Sequence, residues 1–235
     1  MKKKILGITL ARAGSKSVKL KNIKLINKKP LIAYTISEAL KSKYLTDYIV
    51  STNSLKIAKI AKRYGAKIPF LRPNKLSTDK SSSVSALIHA TKFMEKKNNI
   101  KYDYIVELMC TNPFKNSIDI DKVIKKIILT KADSVIAVHR IYDHHPARVK
   151  KIIDDKICDF CTKEKKESRR QDLRPKAYVR SGAIYALERD YLINEKARYG
   201  SGNSRPYFLS ENKSVNIDNY IDFYIAEKIL SHKKK

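Results

Sequence analysis

Cysteine is scarce in this chain, with three in 235 residues, and acidic side chains are few, 23 against 51 lysines and arginines. Three cysteines are too few for a disulfide framework and predict a reducing, cytoplasmic setting. The opening Met1-Lys2-Lys3-Lys4 leads into a short strand-like run without a small-residue cleavage site, which argues against a secretory leader. No apolar run approaches the ~20 residues that a membrane-spanning helix needs. The phosphate-loop pattern GxxxxGK[ST] and the dinucleotide turn GxGxxG are both absent, as are internal repeats and long linkers. The formal net charge of +28 invites a polyanion-binding reading. Yet no helix-turn-helix, zinc-finger or RNA-binding aromatic pattern accompanies it, and the lysines are scattered through a sequence also rich in Ile and Asn. We read the charge as compositional bias that favours small anionic ligands, and do not expect nucleic acid or a membrane as partners.

What is present is an alternation of strand and helix signals. Lys4–Leu10 reads as a buried strand, Pro30–Lys41 as a helix, Tyr48–Ser51 as a strand and Ser54–Tyr64 as a helix closed by Gly65. Ile68–Leu71, Tyr104–Leu108, Ser134–Val138 and Gly182–Leu187 read as strands, and Ser82–Lys96, Ser117–Thr130 and Asn219–Leu230 as helices. This rhythm predicts an α/β fold, a mostly parallel central sheet flanked by helices, with ligands at the carboxyl ends of the strands. Between about 142 and 174 the rhythm breaks into a charged excursion with strand-like pieces at Val149–Ile153 and Lys156–Phe160, read as a protruding hairpin.

Polar clusters follow several strands. The first, Ala11-Arg12-Ala13-Gly14-Ser15-Lys16 with Lys21-Asn22, offers a tight turn whose N–H groups can face phosphate oxygens, and cations to neutralise them. Others lie at Ser51–Asn53, Arg72–Asp79 and Thr111–Lys115. Convergence of these clusters at one sheet edge would form a nucleotide site. Cys158-Asp159-Phe160-Cys161 with His144-His145 lacks the paired spacing of a structural zinc site and is read as structural.

In order and spacing these blocks resemble the cytidylyltransferases that activate eight- and nine-carbon keto sugar acids, chiefly the CMP-N-acylneuraminate synthetases. The opening ARxGSKxxxxKN is matched by Ala11–Lys16 and Lys21-Asn22. Further matches are Val50–Ser54, Pro69–Pro73, Leu76-Ser77, Ser81–Ser83, Cys110–Lys115, His144–Pro146, Arg169–Leu173, Ser181–Tyr185 and Ser214–Asp218. The resemblance spans nearly the whole chain. It implies a Rossmann-like nucleotidyltransferase fold in a single domain, 1–235, whose excursion at 142–174 serves dimerisation. It also implies transfer of a cytidylyl group from CTP to a keto sugar acid, with Mg²⁺ as cofactor and a homodimer as the assembly.

By the same resemblance Arg12 and Lys21 clamp phosphates, and Ser15, Lys16 and Asn22 bind phosphate or ribose. Arg72 and Ser83 recognise cytosine. Arg170 pairs with the sugar carboxylate, in a register blurred by Arg169 and Arg174. Ser181, Met109 and Tyr185 line the acceptor pocket, although Tyr185 reads equally well as core. Asp218, with Asn216, holds the metal; Asp218 alternatively caps the last helix. Departures from the family pattern cluster in the acceptor half: Met109 stands for glutamine, Cys110 for proline, Lys115 for arginine and Ser181 for asparagine. Asn53 and Asn216 each replace an aspartate, and Ser17 a glycine. They point to an altered acceptor, such as a legionaminic, pseudaminic or other nonulosonic acid. The alternatives are an octulosonate-activating enzyme, a catalytically weakened homologue, or a basic polyanion-binding protein on the same fold.

Overall fold

A segment with so few polar side chains can be buried on both faces, and Ile5–Leu10 (β1) becomes an interior strand of the sheet, flanked on both sides. The computed structural model describes residues 3–14, 17–163 and 169–232. After β1 the chain makes the ribbon β2 (Leu25–Ile26) and β3 (Lys29–Pro30), helix α1 (Leu31–Leu40), β4 (Asp47–Ser51) and α2 (Leu55–Arg63). Then come α3 (Ser83–Asn98), β5 (Tyr104–Leu108), α4 (Ser117–Thr130) and β6 (Ser134–Ile141). The hairpin β7 (Lys150–Ile153) and β8 (Lys156–Asp159) precedes β9 (Ala177–Glu188), α5 (Arg189–Asn194), β10 (Ser204–Phe208) and α6 (Tyr220–His232).

The six-stranded sheet has the order β10-β6-β9-β5-β1-β4. β1 is parallel to β4 and β5, β10 is parallel to β6, and β9 runs antiparallel between β5 and β6. The carboxyl ends of β1, β4, β5 and β6 therefore share one edge. On one face α1, α2 and α4 bury Ile36, Ile57, Val123 and Ile127 against Val50, Val106 and Ile184. On the other, α3 and α5 bury Leu87, Met94 and Leu192 against Leu6, Ile8, Ile105 and Leu187. A third cluster joins Phe223 and Ala226 of α6 to Val18, Ile26 and Phe114, and so fixes the chain's end beside the loop that follows β1.

The α/β architecture with a mostly parallel sheet follows the sequence reading, with local corrections. Residues Ile68–Leu71, expected as a strand, contribute only the isolated bridge Thr52–Leu71, with a second, Ile49–Lys67, just before them. β9 is longer than Gly182–Leu187, because its first half pairs with the end of β6 past a register shift. There the Ser181 hydroxyl donates to Ala137 O at 3.0 Å, occupying a carbonyl that the irregularity frees. The excursion forms the separate hairpin β7–β8.

Candidate active site

A cleft of about 310 Å³ opens at the carboxyl ends of β1 and β5, with Arg12, Lys21, Arg72, Ser83, Glu107 and Met109 in its walls. Its first wall is the loop after β1. Val18 sinks into the apolar cluster under α6, and Leu20 adopts a left-handed φ of 54° before the single 3-10 turn Lys21–Ile23. Ala11 N–H donates to Ser51 O and Ala13 N–H to Asn53 Oδ1, both at 3.0 Å, so the amide at Asn53 braces the loop. Asn22 is internal as well. Its Nδ2 donates to Arg12 O at 3.0 Å, and its Oδ1 accepts from the Cys110 thiol at 3.0 Å. Burial pushes the Cys110 thiol up to about 11, which keeps it a proton donor. Ser15 and Lys16 lie outside the described residues.

The cations are placed by this frame. Arg12 donates to Thr78 O at 2.7 Å and pairs with Asp79 at 3.0 Å, which ties the loop after β1 to the loop before α3. Arg72 is 5% exposed, not a surface arginine, and donates from Nε to Ser77 Oγ at 3.0 Å. Burial, then the neighbouring Arg12 charge, lowers its pKa to about 10. Two guanidinium groups side by side in one cleft favour an anionic ligand between them. Opposite them lies the start of α3, where Ser82 Oγ accepts from Ser85 N–H and Ser83 opens the helix toward the cleft. An N-terminus there adds a partial positive charge.

Lys21 reaches across the chain. Its Nζ donates to Ile217 O at 2.8 Å and pairs with Asp218 at 3.2 Å, and its side chain is 11% exposed. It thereby draws the 216–218 turn to the cleft, helped by Ile217 N–H on Thr111 O at 2.8 Å. Asn216 Nδ2 donates to Asp218 Oδ2 at 2.6 Å, while Asn216 Oδ1 is buried without a partner. Asp218 does not cap α6. Asn219 does so, accepting from Asp222 N–H, while Asp222 accepts from the N–H groups of Asp218 and Asn219. A carboxylate and an orphaned amide oxygen suit a hard divalent cation whose other ligands are phosphate oxygens and water. Among the described residues no cluster of three His, Cys, Asp or Glu could hold a metal on its own. His145 is stitched to Pro175 O through Nε2 at 2.8 Å.

The remaining expected residues divide. Met109 lines the cleft, and its N–H donates to Ala183 O. Tyr185 is buried in the core with its ring under Arg198, at 4.6 Å. Ser181 is buried, with its hydroxyl spent in the sheet. Arg170 is not brought to the cleft within this chain; it stacks on Tyr142 at 4.7 Å and faces Asp143 at 3.4 Å. Sequence reasoning missed Glu107 and Arg198. Glu107, 2% exposed, lines the cleft and accepts from Arg198 Nη1 at 2.7 Å. Burial raises the Glu107 pKa and the Arg198 charge opposes that rise. The available signal was one carboxylate inside the otherwise apolar run of β5.

Residues 6–220 match the family model described as Cytidylyltransferase. An N-acylneuraminate cytidylyltransferase of Escherichia coli is 32% identical, over 100% of this chain and 54% of its own length. A CMP-N,N'-diacetyllegionaminic acid synthase of Legionella pneumophila is 30% identical, over 97% of this chain and 96% of its own. A solved structure of a CMP:2-keto-3-deoxy-manno-octonic acid synthetase complexed with CTP shares the fold. Its TM-score is 0.74 at 17% identity, over 98% of this chain and 99% of that one. Fold and sequence together are those of a nucleotidyltransferase. The chain belongs to the cytidylyltransferase family.

Proposed function

We propose that this protein activates a nonulosonic, sialic-acid-like keto sugar acid with CTP, giving the CMP-sugar and pyrophosphate for surface glycan assembly. The observation that carries the reading is the meeting of Arg12, Lys21 and Arg72 on one cleft at the ends of β1 and β5, facing the start of α3. Arg72 and Ser83 hold the cytosine end. Arg12 and Lys21 hold the triphosphate, with Ser15 and Lys16 of the same loop, while Asn22 fixes that loop from within.

The anomeric hydroxyl oxygen of the acid forms a bond to the α-phosphorus. The bond from that phosphorus to the β-bridging oxygen breaks, its electron pair leaves with pyrophosphate, and the hydroxyl proton passes to water. Positioning and charge stabilisation carry such a step. Lys21, held beside Asp218, is a compact charge suited to the oxygens that become more negative. Asp218 and Asn216 would hold Mg²⁺, which neutralises the phosphates when bound.

On the acceptor side Met109 lines the cleft, with Tyr185 and Ser181 buried behind it in β9, and Arg170 orients the carboxylate by a bidentate pair. Because Arg170 sits away from its own chain's cleft, it acts on the cleft of a second copy. The hairpin supports such a homodimer: Ile152, Ile157 and Phe160 are 67%, 75% and 60% exposed. We read residues 1–235 as one domain that works in the cytoplasm; no helix among the described residues is long and apolar enough to cross a membrane.

The test is pyrophosphate release from CTP, UTP, ATP and GTP with a panel of nine-carbon and eight-carbon keto acids. Release only with CTP and a nine-carbon acid is expected. Release with the eight-carbon acid alone would reassign the acceptor, and silence with every acid would remove the activity.

A further inference from the structure

A charged pair that the nucleotide chemistry does not use reaches the cleft through Glu107. Glu107 lies on β5 opposite Tyr185 of β9, so both side chains stand on the sheet face covered by α3 and α5. Met109, two residues on, lies on that face and lines the cleft with Glu107. Arg198 arrives from the segment after α5, its guanidinium 4.6 Å from the Tyr185 ring and 2.7 Å from Glu107 Oε2. Arg180 stands nearby over Tyr199, at 4.2 Å.

The fold has little need of this pair. Every other position of β5 is apolar and buried, and an ion pair taken out of water yields no more stability than well-packed apolar groups of similar size. Nor is the pair closed on itself. Among the described residues Glu107 has one hydrogen-bond partner, which takes Oε2, and Arg198 spends one N–H of five. One carboxylate oxygen on the cleft wall, beside the apolar side chain of Met109, is left to a ligand, and the guanidinium bound to Glu107 keeps unspent N–H groups.

We propose that Glu107 and Arg198 select the acceptor. Glu107 accepts a hydrogen bond from a hydroxyl or amide N–H on the sugar acid, and Arg198 donates to the acyl or carboxylate oxygen beside it. The inference rests on the sugar-acid reading above and adds which substituents the pocket reads: a vicinal donor and acceptor, not an apolar acyl methyl. A site built to hydrogen-bond such groups rejects analogues that lack them far more strongly than an apolar wall could.

The experiment compares wild type with the double variant Glu107→Leu, Arg198→Met, which removes both charges together and leaves neither unpaired. Arg198→Lys keeps the ion pair but loses the planar fork, and Glu107→Gln is isosteric. The readouts are KM for CTP, KM for the best-used acid, relative rates across the acid panel, and thermal melting. In the double variant the acid KM should rise about tenfold or more, an effect of about 1.4 kcal/mol, with the CTP KM within about twofold. Discrimination among the acids should flatten. Arg198→Lys should fall between the two, and Glu107→Gln reports the same change if the double variant melts early. Unchanged acid KM and unchanged preference would overturn the assignment and make the pair structural. Equal rises for acid and CTP would overturn it too, since the pair would then support the whole cleft. Wild type that binds CTP but uses no acid would instead overturn the parent reading, and the selection role with it.

Discussion

Three cations and one buried carboxylate set the character of the cleft. Lys21 is largely covered and anchors the Ile217 carbonyl as well as Asp218. Lys21→Gln should therefore cut turnover by about 100-fold or more, as for loss of one charge-stabilising donor, and also lower stability by about 1–2 kcal/mol. Steady-state rates beside a urea melt separate the two effects. Intact turnover would remove Lys21 from the chemistry. Asn216 offers a second test. Asn216→Asp exchanges a donor to Asp218 for a second negative charge, so the variant should melt lower than wild type without Mg²⁺ and gain more from its addition. A thermal shift series in Mg²⁺ reads this without an assay of activity, and equal shifts for both proteins would count against metal at this turn. At this scale Arg12, Lys21 and Arg72 were named through the family blocks they resemble, and the fold brings all three to one cleft. Glu107 and Arg198 were not. They lie 91 positions apart, and only the antiparallel placement of β9 and the return of the chain after α5 join them.

The elements around the cleft are held by unusual local choices. The segment between β5 and α4 wraps Lys115, which is buried, with Nζ 2.6 Å from Met109 O, 2.6 Å from Asn112 O and 2.8 Å from Thr35 Oγ1. Burial pushes its pKa down to about 7. The contacts survive either state: the ammonium donates to all three, and the amine donates to the two carbonyls while accepting from the hydroxyl. Lys115→Met strips both carbonyls of their partner and should cost about 2–4 kcal/mol, or roughly 6–12 °C in Tm. A melt within about 2 °C of wild type would show that water or a shifted loop satisfies them.

Gly182 has a φ of +61°, and a Cβ there would meet Asn216 Oδ1 at 3.3 Å. Gly182→Ala should lose about 1–2 kcal/mol and disturb the metal-side turn, visible as a lower melting point and a raised Mg²⁺ requirement. Most elements were readable because long, periodic segments with caps specify themselves; Tyr104–Leu108 and Ser117–Thr130 have the same limits in sequence and structure. β10 was missed because Pro206 sits within it. Proline argues against a strand unless the strand is an edge, and β10 is one. α5 has only six residues, too few to show a helical period.

Across the whole molecule the net charge is strongly positive, while the cleft sets a few cations against the carboxylates of Asp79 and Glu107, with Asp218 joined to it through Lys21. Anionic substrates would be steered toward such a body, and capture should weaken with added salt. The hairpin β7–β8 is the other molecular-scale feature. Its exposed isoleucines on a small two-stranded sheet are an apolar surface suited to a second copy. If the proposed dimer forms through this hairpin, Ile152→Asp with Ile157→Asp should leave a monomer in sedimentation velocity and raise KM for the acid more than for CTP. A wild-type monomer at micromolar concentration would dismiss both the dimer and the role of Arg170 across it.

The central claim is that this cleft grips a cytidine triphosphate through Arg12, Lys21 and Arg72. Calorimetric titration of nucleotides into the protein with Mg²⁺ tests it most directly. The account predicts saturable binding of CTP, no comparable heat from ATP or GTP, and a loss of affinity of about tenfold or more in Arg72→Ala. Wild type that gives no heat with CTP, or binds every nucleotide alike, would contradict it.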